Sequence, residues 1–495
     1  MFWRFCIVAI LKPGEKHPMI KSYFRNVGFL MITEALLRVK GLVLLPILTK
    51  QFGAVNYGVW TQVSVLAGML APGMILSTDA ALLRFLPGAD ASQKQKGFST
   101  IVTYIGVVTI FVTLFLWVTA PFIAEIFFQD RHRARFVAIC GPVILVNLGL
   151  NLCRNWYRID DRAKALCAVN LIQSISNVAV TVFIAISGRG IYELVVIMTS
   201  VDCLIMAVVL SDIARGYGVA RPELSLFVKY ARFGLPLVPY SYFMWILNAS
   251  DQLFISYYHG VAALGIYRVA YALGYFFIEM LFNPIWVMYP ARAAELYNSD
   301  KRQELTQLFR YSTQAALGLI IPAVVGTSML AVPILKFLST PEFTRGAGII
   351  SVITIAYTFH LIGSFYMISL KLVEKNIYIT LSTVISAAAH LALNWALIPR
   401  WDITGAAYAT CLAFGIQMAL SIFWGARQLH LCWNYSFILK SVFASGSMAV
   451  VISWLKVDSI PQLALAILSS AGVYLIFMAL LQSFALKQAW SFFRK

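Results

Sequence analysis

A chain of 495 residues that is 60% hydrophobic and only 12% charged, with a mean hydropathy of +0.79, lacks the polar residues to coat a water-facing surface, which excludes an ordinary soluble enzyme or binding module. The net charge of +18 would suit a nucleic-acid partner, but the lysines and arginines sit in short segments bordering apolar runs, so no nucleic acid is implied. Seven scattered cysteines (Cys6, Cys140, Cys153, Cys167, Cys203, Cys411, Cys432) show no C-x-x-C and no metal-ligand spacing, and neither a metal nor a cofactor is expected.

A hydrocarbon core roughly 30 Å thick needs about 20 apolar residues per helix. About fourteen such runs follow in chain order, predicting an all-α integral membrane protein. The first six are 27–48, 59–83, 98–120, 136–156, 165–187 and 191–210. The next six are 227–258, 262–289, 308–338, 347–370, 377–398 and 404–425, and the last two are 437–455 and 463–484. Pro46, Pro72, Pro142, Pro236, Pro239, Pro284 and Pro322 fall within these runs and read as kinks. Aromatic residues gather at several ends, Trp156 with Tyr157 and Tyr257 with Tyr258, as interfacial anchors do. Ahead of the first span, the apolar stretch 2–11 is too short to cross and is cut off by Lys12-Pro13-Gly14-Glu15-Lys16. It reads either as an interfacial appendage or as sequence preceding a true start at Met19.

An even number of spans places both termini on one side. The N-terminus, the even-numbered loops and the C-terminal tail carry about 27 basic residues, against about 9 in the odd-numbered loops. Both termini are therefore expected in the cytoplasm.

The chain also repeats itself. Phe52-Gly53-Ala54-Val55-Asn56-Tyr57-Gly58-Val59-Trp60 recurs as His259-Gly260-Val261-Ala262-Ala263-Leu264-Gly265-Ile266-Tyr267, offset by 207. Ala120-Pro121 matches Val332-Pro333 at an offset of 212, and Asp161-Arg162 matches Glu374-Lys375 at 213. Helices 1–6 and 7–12 thus read as two parallel repeats forming two lobes, with two appended C-terminal helices. The expected boundaries are a cytoplasmic or interfacial N-terminus (1–23), an N-terminal lobe (24–213), a cytoplasmic linker (214–226), a C-terminal lobe (227–427), the added pair (434–484) and a cytoplasmic tail (485–495). Two-lobed repeats are the architecture of secondary transporters. No loop is long enough for a soluble catalytic domain and no GxxxxGK[ST] is present, so neither an enzyme nor an ATPase is expected.

Leu45-Pro46-Ile47-Leu48-Thr49-Lys50-Gln51-Phe52-Gly53 followed by Tyr57-Gly58-Val59-Trp60 resembles the first hairpin of Wzx-type polysaccharide flippases. These belong to a superfamily that also holds MATE multidrug exporters and the peptidoglycan-precursor flippase. Asp251-Gln252-Leu253-Phe254-Ile255 leading to Leu264-Gly265-Ile266-Tyr267 is similar to that family's seventh-to-eighth helix pattern, and Gly405-Ala406-Ala407-Tyr408-Ala409-Thr410 to its twelfth-helix opening. The resemblance covers about residues 24–427, and Arg268 departs from it by standing where a small residue is the pattern. It implies a transporter in a bacterial inner membrane that flips a polyprenyl-pyrophosphate-linked oligosaccharide for O-antigen, capsule or exopolysaccharide synthesis. Its partners would then be that substrate, membrane lipids, a glycan polymerase and chain-length machinery.

Such a substrate needs a polar cavity with fixed positive charge, and charges at mid-membrane depth cost about 2.5–3.5 kcal/mol each on insertion scales. Helix 1 carries Glu34, Arg38 and Lys40. Glu34 and Arg38 share a face. Two readings fit Arg38, a cavity cation gripping pyrophosphate or a neutralised pair with Glu34 pinning two helices. Lys40 lies about 200° around the helix from Arg38, so both cannot face one narrow cavity. Helix 7 presents Ser241, Trp245, Asn248, Asp251 and Gln252 along one stripe, with Trp245 and Asn248 as candidate sugar contacts and Asp251 either functional or a turn cap. Helix 8 adds Arg268 as a cation and Glu279 as the first candidate ion carrier, ahead of Glu34. His360, His390 and Asn394 read as lesser candidates, more often satisfied core groups, and Asp79 and Arg84 as interfacial charges. The alternatives are a MATE-like ion-coupled exporter, whose cavity for cationic drugs should be acidic, and a membrane polymerase or ligase, which would need a longer outer loop.

Overall fold

The computed structural model describes residues 18–429, 431 and 433–482, with backbone alone for 18–39, 42, 284, 288 and 482. Among them every regular element is helical. In chain order the α-helices are α1 (Pro18–Ile75), α2 (Thr78–Phe85), α3 (Ala91–Phe128), α4 (Ala134–Ala138), α5 (Cys140–Ile159), α6 (Ala163–Ile186), α7 (Ile191–Tyr217) and α8 (Leu224–Gly234). They continue as α9 (Val238–Asn298), α10 (Arg302–Met329), α11 (Ala331–Leu338), α12 (Ala347–Leu372), α13 (Asn376–Gly425), α14 (Tyr435–Trp454) and α15 (Ile460–Gln482).

Among the described residues, eleven stretches are long and apolar enough to cross a membrane. Three of them, in α1, α9 and α13, join two helices across a single non-helical residue, Gly53, Gly260 and Asp402, which makes the count compatible with the expected fourteen crossings. Gly53 (φ 69°, ψ 179°) and Gly260 (φ 79°, ψ 174°) adopt one conformation that only glycine enters readily. The repeated sequence motif is therefore a repeated backbone elbow. Asp402 turns α13 with φ 54° and is held by Arg345, whose Nη2 donates to Oδ2 at 2.6 Å. Lipid replaces water around such a protein, so large side chains such as Phe111, Val118 and Trp454 are exposed on the outside of the bundle.

The chain forms two six-helix lobes and an added pair. The pair, α14 and α15, docks on α10 of the second lobe, where Tyr474 Oη donates to the Gly318 carbonyl at 2.6 Å and meets Ser441 Oγ at 2.9 Å. The polar linker is shorter than expected, since α7 runs through Tyr217 and α8 begins at Leu224. Residues between them lie on α3, with Ala220 N–H donating to Ser99 Oγ at 3.2 Å and Glu223 N–H to Thr100 Oγ1 at 3.0 Å.

Three expected spans prove interrupted. The run 227–258 breaks into α8, a 3₁₀ turn (Leu235–Leu237) and α9. Pro236 and Pro239 occupy helix starts, where a missing N–H costs nothing. They mark this break rather than kinking a continuous helix. Gly234 fits there because a Cβ on it would lie 2.1 Å from the Leu76 carbonyl oxygen. The run 59–83 ends at Ile75, because Leu76 and Ser77 both turn left-handed, and 308–338 breaks at Leu330 between α10 and α11.

Candidate functional site

The two elbows cross back to back. A Cβ on Gly58 would lie 1.7 Å from the Val261 carbonyl oxygen, and one on Gly265 would lie 2.1 Å from that of Ala54. Only backbone fits between them. Side-chain bonds reach across the same seam. Glu342 Oε1 accepts from Ala54 N–H at 2.9 Å, and Thr49 Oγ1 donates to the Leu338 carbonyl at 3.0 Å. In the other direction Gln129 Nε2 donates to the Tyr257 carbonyl and Ser256 Oγ to that of Phe127, both at 2.6 Å. Each lobe's elbow is thus covered by a loop residue of the other, since the nearest atom to a Cβ on Gly53 would be Glu342 Oε1 and on Gly260 would be Gln129 Oε1.

Beneath this crossing the lobes enclose a cavity of about 800 Å³. Lys40, Trp245, Asn248 and Arg268 all line it. The guanidinium of Arg268 sits 5.7 Å from the Tyr271 ring centroid. Tyr271 Oη and Tyr357 Oη are 2.6 Å apart, and Tyr357 Oη reaches Asn248 Oδ1 at 3.4 Å, so an aromatic-hydroxyl row forms the second lobe's wall. Trp245 also packs edge-on to Gly68, whose Cβ position lies 3.1 Å from Nε1. The side chains of Glu34 and Arg38 lie outside the described residues.

The first lobe's wall holds residues that the sequence reading passed over. Asp202 of α7, Gln173 and Asn177 of α6 and Asn147 of α5 line the cavity beside Lys40. Arg154 of α5 stands behind them, its Nε donating to Asn170 Oδ1 at 2.9 Å and its Nη2 to Gln173 Oε1. Lys40, Asp202 and Arg154 lie within Coulombic reach of one another. Among the described residues the cavity lining therefore carries two cations, Lys40 and Arg268, against one carboxylate. The signal for Asp202 was available, a lone carboxylate deep inside an apolar run.

A second polar cluster is sealed inside the second lobe, between α9 and α13. Asp251, 1% exposed, accepts from Tyr267 Oη and, at 3.2 Å, from Thr410 Oγ1. His390 Nδ1 lies 3.0 Å from the Ile246 carbonyl and its Nε2 lies 3.3 Å from Thr410 Oγ1. Asn394 Nδ2 donates to Ser250 Oγ at 3.2 Å, while its Oδ1 is buried with no partner among the described residues. Thr410 has one proton to give and three acceptors in reach, Asp251 Oδ2, His390 Nε2 and, at 3.0 Å, the Ala406 carbonyl. Asp251 lies inside α9, nine positions before the elbow residue Gly260. Glu279, half-buried farther along α9, acts electrostatically on His360, whose Nδ1 lies 3.1 Å from Gln417 Oε1. The structure thus joins Asp251, His390 and Asn394 and leaves Glu279 outside that cluster. Asp79 and Arg84 lie on the short helix α2.

The family described as polysaccharide biosynthesis protein matches this chain over residues 86–347. An uncharacterized membrane protein of Methanocaldococcus jannaschii is 24% identical over 419 residues, covering 78% of this chain and 80% of that one. The probable flippase AglR of Haloferax volcanii is 20% identical over 415 residues, covering 81% and 83%. Among solved structures, the lipid II flippase MurJ in an inward closed conformation superposes with a TM-score of 0.78 at 15% identity, over 93% of this chain and 100% of that one, a likeness of fold.

Proposed function

The chain belongs to the polysaccharide biosynthesis protein family, and we propose that within it this protein is a transporter, not an enzyme, that flips a polyprenyl-pyrophosphate-linked oligosaccharide from one membrane leaflet to the other. The observation that carries the reading is the pair of cations, Lys40 from the first lobe and Arg268 from the second, lining one cavity within the membrane-spanning bundle. A pyrophosphate between them would meet charge from both walls, and Arg268 offers a fork that matches phosphate oxygens. A relative named as a probable flippase supports the same reading. A cavity for cationic drugs would be acidic, and this lining is not.

On this reading the lobes, about 24–213 and 227–427, rock about the cavity to expose it to each side in turn, and both termini face the cytoplasm of a bacterial inner membrane. The glycan is destined for O-antigen, capsule or exopolysaccharide, with polymerase and chain-length machinery as downstream partners. Ion coupling falls to Asp251, a buried carboxylate enclosed by the hydroxyls of Tyr267 and Thr410, with Glu279 as the alternative carrier. A membrane potential supplies about 2.3 kcal/mol per charge per 100 mV, enough to bias two lobe positions.

The test is where lipid-linked glycan accumulates. Depleting the protein should trap it on the cytoplasmic leaflet, and neither Lys40→Ala nor Arg268→Ala should relieve the block although both insert normally. Relief by both alanine variants at wild-type rate overturns the proposal.

A further inference from the structure

Within the cavity, the first lobe's wall differs from the second's in what it leaves unsatisfied. Asn177 is 4% exposed and lines the cavity, yet its Oδ1 accepts no hydrogen bond among the described residues. The neighbouring Asp202 Oδ1 is buried and equally without a partner there, although the amides of Gln173 and Asn177 stand beside the carboxylate. Both orphan atoms are acceptors. A pyrophosphate cannot satisfy them, because its oxygens also only accept. What they lack is a donor.

The surrounding groups say which kind. Asn147, Gln173, Asn177 and Asp202 are all flat side chains, and the amides carry a donor and an acceptor side by side. A carboxylate and amides so arranged match the adjacent hydroxyls of a pyranose, each of which both donates and accepts. The wall is also built firmly. Arg154 ties Gln173 and Asn170 of α6 to α5 through its own two bonds, so the Gln173 amide is held in place before any ligand arrives. Lys40 stands on the same wall, where it can hold a phosphate next to a sugar.

We propose that Asn147, Gln173, Asn177 and Asp202 form a sugar-binding subsite on the first lobe, which receives the pyrophosphate-proximal residue of the glycan. The inference rests on the flippase reading above. It assigns the two halves of the substrate head to different groups, with Lys40 and Arg268 for the pyrophosphate and the α5–α7 wall for the sugar. Discrimination between glycans then lies in the first lobe.

The experiment measures binding to purified full-length protein by native mass spectrometry. The probes are undecaprenyl pyrophosphate and its derivatives bearing one hexose, one N-acetylhexosamine or one hexuronic acid. Wild-type protein should bind at least one derivative about tenfold tighter than the bare pyrophosphate, the worth of a satisfied pair of hydrogen bonds. Asn177→Leu, close in shape but unable to hydrogen-bond, should erase that preference and keep the bare affinity, which also reports that the variant is folded. Lys40→Ala should weaken bare and glycosylated lipids alike. Equal binding of all four probes by the wild type, or a preference that survives Asn177→Leu, overturns the subsite while leaving the flippase reading intact. Failure of the wild type to bind any of the probes removes the flippase reading itself, and the subsite with it.

Discussion

Gly58→Ala tests the packing of the two elbows where the lobes cross above the cavity. The added methyl would sit 1.7 Å from the Val261 carbonyl oxygen, where ordinary contact begins near 3.4 Å. The obstacle is backbone on both sides, so no rotamer relieves it, and the two elbows must separate by about 1.7 Å. A gap of that size forfeits more than half the dispersion energy across the crossing. It also pulls the bonds Ala54–Glu342, Thr49–Leu338, Gln129–Tyr257 and Ser256–Phe127 beyond hydrogen-bonding range. At roughly 0.5–1.5 kcal/mol net apiece, their loss costs about 2–6 kcal/mol. Even the lower figure shifts a balance between closed and open arrangements by roughly thirtyfold. The assay is labelling by a membrane-impermeant maleimide of a single cysteine at Leu48, which lines the cavity and is 3% exposed, with the native cysteines replaced. Gly58→Ala should convert this position from protected to reactive from outside. Gly106→Ala should leave it protected, since a Cβ there meets nothing within 4 Å. A Gly58→Ala protein that is made at wild-type level and stays protected refutes the reasoning.

Two further outcomes follow from other parts of the fold. Gly53→Ala and Gly260→Ala should each destabilise the protein by about 1–3 kcal/mol, because alanine is strained at φ 69° and 79° with ψ near 180°. Thermal unfolding in detergent measures this, and an unchanged midpoint for either variant speaks against the elbow geometry. Asp251→Asn should abolish the response of transport in vesicles to an imposed proton or sodium gradient while leaving ungated exchange in place. A gradient response that persists in Asp251→Asn and disappears in Glu279→Gln moves the coupling role to Glu279.

Much of this architecture was legible in the sequence because a membrane imposes long apolar runs, and these register without any knowledge of packing. The elbow repeat was legible too, since two glycines at fixed spacing serve one backbone need twice: the first bends the chain and the second lets the elbows touch. Interruptions were harder. The run 227–258 is long and mostly apolar, and its break at Leu235–Leu237 falls where Gly234 packs against the Leu76 carbonyl, a neighbour remote in sequence. For the site, Lys40 and Arg268 were named from depth and charge and Trp245 and Asn248 from one stripe of a helix, and the cavity gathers all four. Asp202 was missed although it lies well inside α7, and Arg154, near the end of α5, was not singled out. Asp251 was placed near a helix end, where a capping role is the simpler reading. Its enclosure arises from Tyr267 and Thr410, 16 and 159 residues away, which no local pattern reveals.

The three hairpins that turn at Gly53, Gly260 and Asp402 do so without leaving the helix for more than a residue, so at these points the molecule has no surface loop at all. An added protease, an antibody or an inserted tag finds no slack chain there, and an insertion would pry apart the pair of helices it interrupts. The turn at Gly188 is different, since a Cβ there meets open space and the chain between α6 and α7 stands free of its neighbours. Topology reporters therefore belong at Gly188, and a silent result from a reporter at residue 53 or 260 would describe a broken hairpin instead of a side of the membrane.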